Sequence, residues 1–173
     1  MSDYVFGLNK SGISVSKLLM KQGRSFYCWD DNAKIRKLII KEIPNIKFKK
    51  INQNNKNEFK NIYITPGVSL SDERFRGISK SAIKRDLNLY YANIKKEKII
   101  AITGTNGKST TTKLVGDIIR NKYKKTFVGG NIGNALCNSI IKNISFSHHV
   151  IELSSFQLET INNFEPKISI LLN

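Results

Sequence analysis

Residues 99–112 read Ile-Ile-Ala-Ile-Thr-Gly-Thr-Asn-Gly-Lys-Ser-Thr-Thr-Thr. The apolar run Ile99 to Ile102 predicts a buried strand. Leu114, Val115, Ile118 and Ile119 follow at helical spacing and predict a helix with one apolar face. Between them stand Gly104, Thr105, Asn106, Gly107, Lys108, Ser109 and Thr110. A strand, a glycine-bearing turn and a helix opening on Lys-Ser describe a phosphate-binding loop. Glycines let the backbone approach the anion, and their N–H groups point at it. The helix start adds its dipole. Lys108 is placed to reach terminal phosphates, and the Ser109 hydroxyl is placed to sit on Mg²⁺. The loop is not a strict Walker A sequence, because Ile102 stands where that pattern needs glycine. By itself the loop implies a nucleotide phosphate with Mg²⁺, and a surface turn is the plain alternative.

A second carboxylate-bearing strand end supports this reading. Val150 and Ile151 lead into Glu152. A carboxylate at the tip of a strand beside a phosphate loop is where such folds keep a Mg²⁺ ligand. Mg²⁺ retains several waters, so one or two protein oxygens suffice.

The N-terminal part predicts a strand–turn–helix–strand unit. Tyr4-Val5-Phe6-Gly7-Leu8 is a short apolar run, and Gly7 to Gly12 opens a helix carrying Ile13, Val15, Leu18 and Leu19. Phe26 to Trp29 is the next strand and ends at Asp30-Asp31. An acidic residue after the second strand suits a Rossmann-like unit, but Asn9 occupies the second glycine position of the dinucleotide fingerprint. The spacing does not support an NAD site. Trp29 reads as half-buried, with a place at the pocket end. Thr65-Pro66-Gly67 after Ile62-Tyr63-Ile64 reads as a turn.

The expected fold is α/β. A Rossmann-like domain spans 1–92, a polar charged linker covers 92–98, and a phosphate-loop domain with a mostly parallel sheet occupies 98–173. The net charge is +16, from 29 basic and 13 acidic residues. The lysines are spread along the chain among asparagines and isoleucines, which argues against a nucleic-acid patch. The densest run, Lys47-Phe48-Lys49-Lys50, reads as a solvated strand end. Cys28 and Cys137 have no partner at metal-ligand spacing and read as free thiols. Adjacent His148 and His149 point to opposite faces of a strand, which suits a polar lead-in better than a metal site. There is no leader-like or membrane-length apolar run, so a cytoplasmic protein is expected.

Three segments together carry a resemblance: Gly104-Thr-Asn-Gly-Lys-Ser-Thr110, Gly129-Gly-Asn-Ile-Gly133 and Ile151-Glu-Leu-Ser-Ser-Phe-Gln-Leu-Glu159. In collinear order they resemble the Mur ligase family of peptidoglycan synthesis, in its D-glutamate-adding form. The resemblance implies ATP-dependent amide formation between UDP-N-acetylmuramoyl-L-alanine and D-glutamate, through an acyl phosphate. It implies ATP held by residues 104–110, with Lys108 and Glu152 in catalytic roles and Mg²⁺ on Ser109 and Glu152. It places the UDP-sugar on Lys10, Ser11, Asp30, Asp31, Pro66 and Gly67, and its alanyl end near Asn131 and Ser154. Ser155 and Gln157 are weaker candidates for the same end. Asp86 is given no role, since Arg85 replaces the glycine that usually precedes an acidic residue there. The family's further ligands to a second Mg²⁺, a histidine and a carbamylated lysine, and its amino-acid-binding domain fall beyond residue 173. The 173 residues are therefore expected to be an inactive part of a protein that is monomeric at full length. A stand-alone phosphate-loop ATPase or kinase, and a non-catalytic nucleotide- or nucleic-acid-binding protein, are the competing readings.

Overall fold

The computed structural model describes residues 1–95, 98–161 and 163–173. Lys96 and Glu97 of the expected linker lie outside the described residues. The chain divides into two compact units, Met1–Asp86 and Leu87–Asn173.

In the first unit, β1 (Ser2–Phe6), α1 (Lys10–Lys21), β2 (Phe26–Trp29), α2 (Ala33–Glu42), β3 (Phe59–Ile64) and β4 (Ile83–Lys84) follow in order. They form a four-stranded sheet ordered β2-β1-β3-β4. Every pairing is parallel, with Phe6 opposite both Trp29 and Ile64. Helix α1 sits close to the end of β1 because residue 12 is glycine. A Cβ there would stand 1.9 Å from the Gly7 carbonyl oxygen. Tyr4, Phe6, Ile51, Phe59, Ile62, Ile64 and Phe75 make the core on the sheet. The Tyr4 hydroxyl donates to the Lys49 carbonyl at 2.7 Å and accepts from the Ile51 amide at 3.1 Å, which ties the basic 47–51 segment to the sheet. Cys28 is buried, and burial pushes its thiol up to about 12, so it is unreactive at neutral pH.

Arg85 is fully buried and fastens the turn after β3. Its Nη1 donates to the carbonyls of Ile64 (3.1 Å), Thr65 (2.7 Å) and Val68 (3.0 Å). Removing the guanidinium would strip buried acceptors of their donor, which costs roughly 1–3 kcal/mol each. Arg85→Met is expected to lower first-unit stability by about 3 kcal/mol, read by urea unfolding of the single tryptophan, Trp29. An unchanged midpoint would mean that the turn holds itself.

The second unit contains β5 (Ile99–Gly104), α4 (Lys108–Lys122), β6 (Thr126–Gly130), α5 (Asn138–Ile141), β7 (His148–Glu152), α6 (Ser155–Leu158) and β8 (Ile168–Leu172). Its sheet is ordered β6-β7-β5-β8, again all parallel. Helix α3 (Asp86–Tyr91) begins at the division. Residues 87–92, grouped with the first domain by sequence, cluster with the second unit, where Tyr90 packs on His149 with ring centres 5.7 Å apart.

Helix α4 is rotated from the face expected. Val115 and Ile119 pack on Ile100, Ile102 and Val150. Leu114 and Ile118 are instead 59% and 58% exposed. The cause is Gly116 beside buried Thr112. A Cβ on residue 116 would meet the Val128 side chain at 2.5 Å, so the small residues bring this face closest to the sheet.

His149 is buried among Tyr90, Phe127 and Phe146. Burial, and then the nearby Lys98 and His148 charges, lower its pKa from 6.5 to about 4. The folded form therefore keeps His149 neutral while the unfolded chain takes up a proton. Between about pH 6.5 and pH 4 the unfolded state binds more protons, so stability falls as pH falls. The His149 contribution is fully present above pH 6.5, and its loss reaches about 3 kcal/mol at the acid end. Melting of wild type against His149→Phe at pH 7 and pH 5 checks this: the wild type is expected to lose more stability.

Candidate functional site

The phosphate loop lies between β5 and α4. Gly104 adopts φ +139° and Gly107 φ +76°. A Cβ on residue 104 would stand 1.9 Å from the Leu172 carbonyl oxygen, so glycine is required there by β8 as well as by φ. Gly107 caps α4 in the left-handed conformation, and the first helical bond runs from the Thr111 amide to the Gly107 carbonyl at 2.9 Å. The amides that open the helix have no partner within it. N–H groups at a helix start are suited to an anion. Lys108 Nζ folds back onto the carbonyls of Gly104 (2.7 Å) and Thr105 (2.9 Å), latching the loop. An ammonium has three donors, so one remains for a ligand.

Glu152 ends β7 and is 1% exposed. Register places it beside Ile102 of β5 and Gly130 of β6. Ser109 Oγ donates to Glu152 Oε2 at 2.8 Å, and Asn131 Nδ2 donates to Oε1 at 2.9 Å. The Asn131 amide also donates to the Glu152 carbonyl at 2.9 Å. Gly130 permits this approach, since a Cβ there would sit 2.2 Å from the same carbonyl oxygen. Three separate motifs thus meet at one buried carboxylate. An open cleft of about 690 Å³ reaches Ser109 and is lined also by Thr110, Lys113, Gly129 and Asn134 among others.

The donor set suits Mg²⁺. Adjacent oxygens around an octahedral Mg²⁺, each at roughly 2.0–2.1 Å from the ion, stand about 2.9 Å apart. Ser109 Oγ and Glu152 Oε2 are brought together by a 2.8 Å hydrogen bond, so both oxygens would be within reach of one ion. Hard oxygen ligands with room for water are what this ion takes.

Ser154 lies two positions past Glu152, but its hydroxyl is engaged in a capping box. It accepts from the Gln157 amide at 3.3 Å, while Gln157 Oε1 accepts from the Ser154 amide at 3.1 Å. Gln157 is fully buried and shapes the backbone after β7.

In the first unit, Asp30 is 8% exposed and pins the turns around it. Its Oδ2 accepts from the Leu8 amide at 2.7 Å and its Oδ1 from the Asn32 amide at 2.9 Å. Asp31 is exposed and ion-paired to Arg74 at 2.7 Å. The Arg74 hydrogen bond holds its carboxyl below the usual carboxylate range. Lys10 is exposed at the start of α1, and the Ser11 carbonyl accepts from Ser14 Oγ at 2.8 Å. Pro66 and Gly67 sit in the turn that Arg85 fastens. No sequence motif points to Arg74 or Arg36. The Arg36 guanidinium lies 4.2 Å from the Trp29 ring centre, in a pairing no local motif announces.

Two parallel α/β units, the second with a phosphate loop facing a buried strand-end carboxylate, define a phosphate-loop-like protein class. Residues 102–173 match the Mur ligase middle domain. UDP-N-acetylmuramoylalanine--D-glutamate ligase of Wolbachia sp. subsp. Brugia malayi is 41% identical over 168 residues, covering 91% of this chain and 32% of that protein. The enzyme of the same name from Lachnoclostridium phytofermentans is 38% identical, covering 98% of this chain and 39% of its own length. The fold matches the crystal structure of UDP-N-acetylmuramate-alanine ligase MurC from Thermotoga maritima with a TM-score of 0.56 at 20% identity, over 99% of this chain and 41% of that one. The chain is similar to these D-glutamate ligases along nearly its whole length. It spans 32% and 39% of the lengths of these two curated relatives. Among the described residues no helix is long and apolar enough to cross a membrane.

Proposed function

We propose that this chain carries the nucleotide-binding parts of an ATP-dependent ligase that joins D-glutamate to UDP-N-acetylmuramoyl-L-alanine. The observation that carries the reading is the convergence of Ser109, Asn131 and Glu152 beside the Lys108 loop. The D-glutamate ligases that match along nearly the whole chain support the choice of substrates.

In this reading the amides that open α4 at Lys108 to Thr110 and the free N–H of Lys108 bind the ATP phosphates and neutralise charge on the moving phosphoryl group. Ser109 and Glu152 hold Mg²⁺, which supplies Lewis-acid stabilisation when bound. Asn131 fixes the Glu152 carboxylate from the other side. The first unit takes the UDP moiety at the Gly7–Ser11 turn, Asp30, Asp31, Pro66 and Gly67. The protein's task is alignment of two reactants and electrostatic support. ATP as the energy source suits a cytoplasmic enzyme.

These 173 residues by themselves are expected to bind nucleotides without completing the ligation, because the proximity advantage needs a site for D-glutamate as well. Phosphate release is measured with ATP, Mg²⁺ and the UDP-sugar, with and without D-glutamate. The expected result is no D-glutamate-dependent turnover. Release at roughly one per second or faster, a common enzyme rate, would contradict the division of labour proposed here. Equal release from ATP alone would favour a stand-alone ATPase.

A further inference from the structure

In open parallel sheets, ligands bind at the carboxyl ends of the strands. In the first unit Arg74 lies over that edge, with its guanidinium carbon 4.3 Å from the ring centre of Phe6, the last residue of β1. Nη1 donates to Asp31 Oδ2 at 2.7 Å. Nε and Nη2 donate to Asp72 Oδ1 and Oδ2 at 2.8 and 2.6 Å. A guanidinium has five N–H groups. Three are used, and the other two have no partner among the described residues. The side chain keeps 28% of its surface exposed. An aromatic face beneath and carboxylates on two sides fix the orientation of this cation, so little rotamer freedom is left to lose when it binds an anion.

The neighbouring cations are less well placed for that task. Arg36 Nη1 donates to the backbone carbonyls of Asp30 and Asp31, and its plane lies on Trp29. Lys10 is exposed at the start of α1. Asp30, Asp31 and Asp72 bring three negative charges to this edge. Without Arg74 a polyanionic ligand would meet an unfavourable potential there.

We propose that Arg74 binds the diphosphate group of a nucleoside-diphosphate ligand in the first unit, with Asp31 and Asp72 as residues that position it. The proposal rests on the reading of that unit as the UDP-sugar domain. It changes the part given to Asp31, which acts through Arg74.

The test is titration of UDP and of uridine into the 173-residue chain, as wild type, Arg74→Met and Arg74→Lys, followed by NMR shifts with melting as a fold check. Arg74→Met is expected to weaken UDP at least about tenfold while leaving uridine unchanged, because a charge-assisted fork is lost. Arg74→Lys keeps the charge without the fork, and is expected to weaken UDP severalfold with uridine again unchanged. That variant decides the matter if Arg74→Met does not fold. UDP binding unchanged in the variants would overturn the Arg74 assignment alone. An equal loss for UDP and uridine would overturn it too, by showing a purely structural part. A wild-type chain that binds no UDP would overturn the nucleotide-sugar reading, and this assignment with it.

Discussion

Glu152→Ala is expected to abolish the Mg²⁺ dependence of ATP binding and to destabilise the second unit. The carboxylate is 1% exposed and is the shared acceptor for Ser109 Oγ and Asn131 Nδ2. Its removal leaves two donors facing a cavity, each worth roughly 1–3 kcal/mol if left unsatisfied. A shifted melting temperature alone would fit a structural carboxylate. The discriminating variant is Glu152→Gln, which keeps shape and one acceptor oxygen but removes the charge. ATP affinity measured with and without Mg²⁺ should differ in wild type and coincide in Glu152→Gln. Retained Mg²⁺ enhancement in that variant would assign the ion elsewhere.

Lys108→Ala is the second large effect. Its Nζ holds two loop carbonyls and offers its third donor to a ligand. Loss of a charged hydrogen bond to phosphate, worth roughly 1.5–3 kcal/mol, predicts about a 10- to 100-fold weaker ATP affinity. The loop also loses its latch, so amide exchange at residues 104–107 should quicken. ATP affinity within about twofold of wild type, well inside the spread expected for a neutral surface change, would make Lys108 a structural latch only.

Much of this site was legible because it is local. The loop from Gly104 to Ser109 announces itself through residue types at fixed spacing, and Glu152 through its place at the end of an apolar run. Their meeting follows from the sheet order, which sets β7 directly beside β5. The two glycines of Gly129-Gly130 gained a reason only from the structure, where Gly130 lies against the Glu152 backbone. Periodicity puts all four apolar residues of α4 on one face, whereas only Val115 and Ile119 pack on the sheet. Leu114 and Ile118 have the same spacing as Val115 and Ile119, and the close approach at Gly116 chooses between the pairs.

Long-range polar pairing was not legible. Arg74 and Asp31 are 43 positions apart, and the segment between β3 and β4 has no periodic pattern to place it. Ser154 shows the opposite problem. As a motif residue it reads as a substrate contact, and its three-residue spacing to Gln157 also encodes a helix cap, which is the arrangement found. Buried Arg85 is a further case: its charge argues for the surface, and three backbone carbonyls account for it inside.

In the proposed function the loop at 104–110 and Glu152 together form an ATP-phosphate and Mg²⁺ site within these 173 residues. Calorimetric titration of ATP into the chain, with Mg²⁺ and then with excess EDTA, tests it most directly. Saturable binding at one site is expected, weakening at least about tenfold without the ion. Absence of ATP binding, or binding indifferent to Mg²⁺, would contradict it.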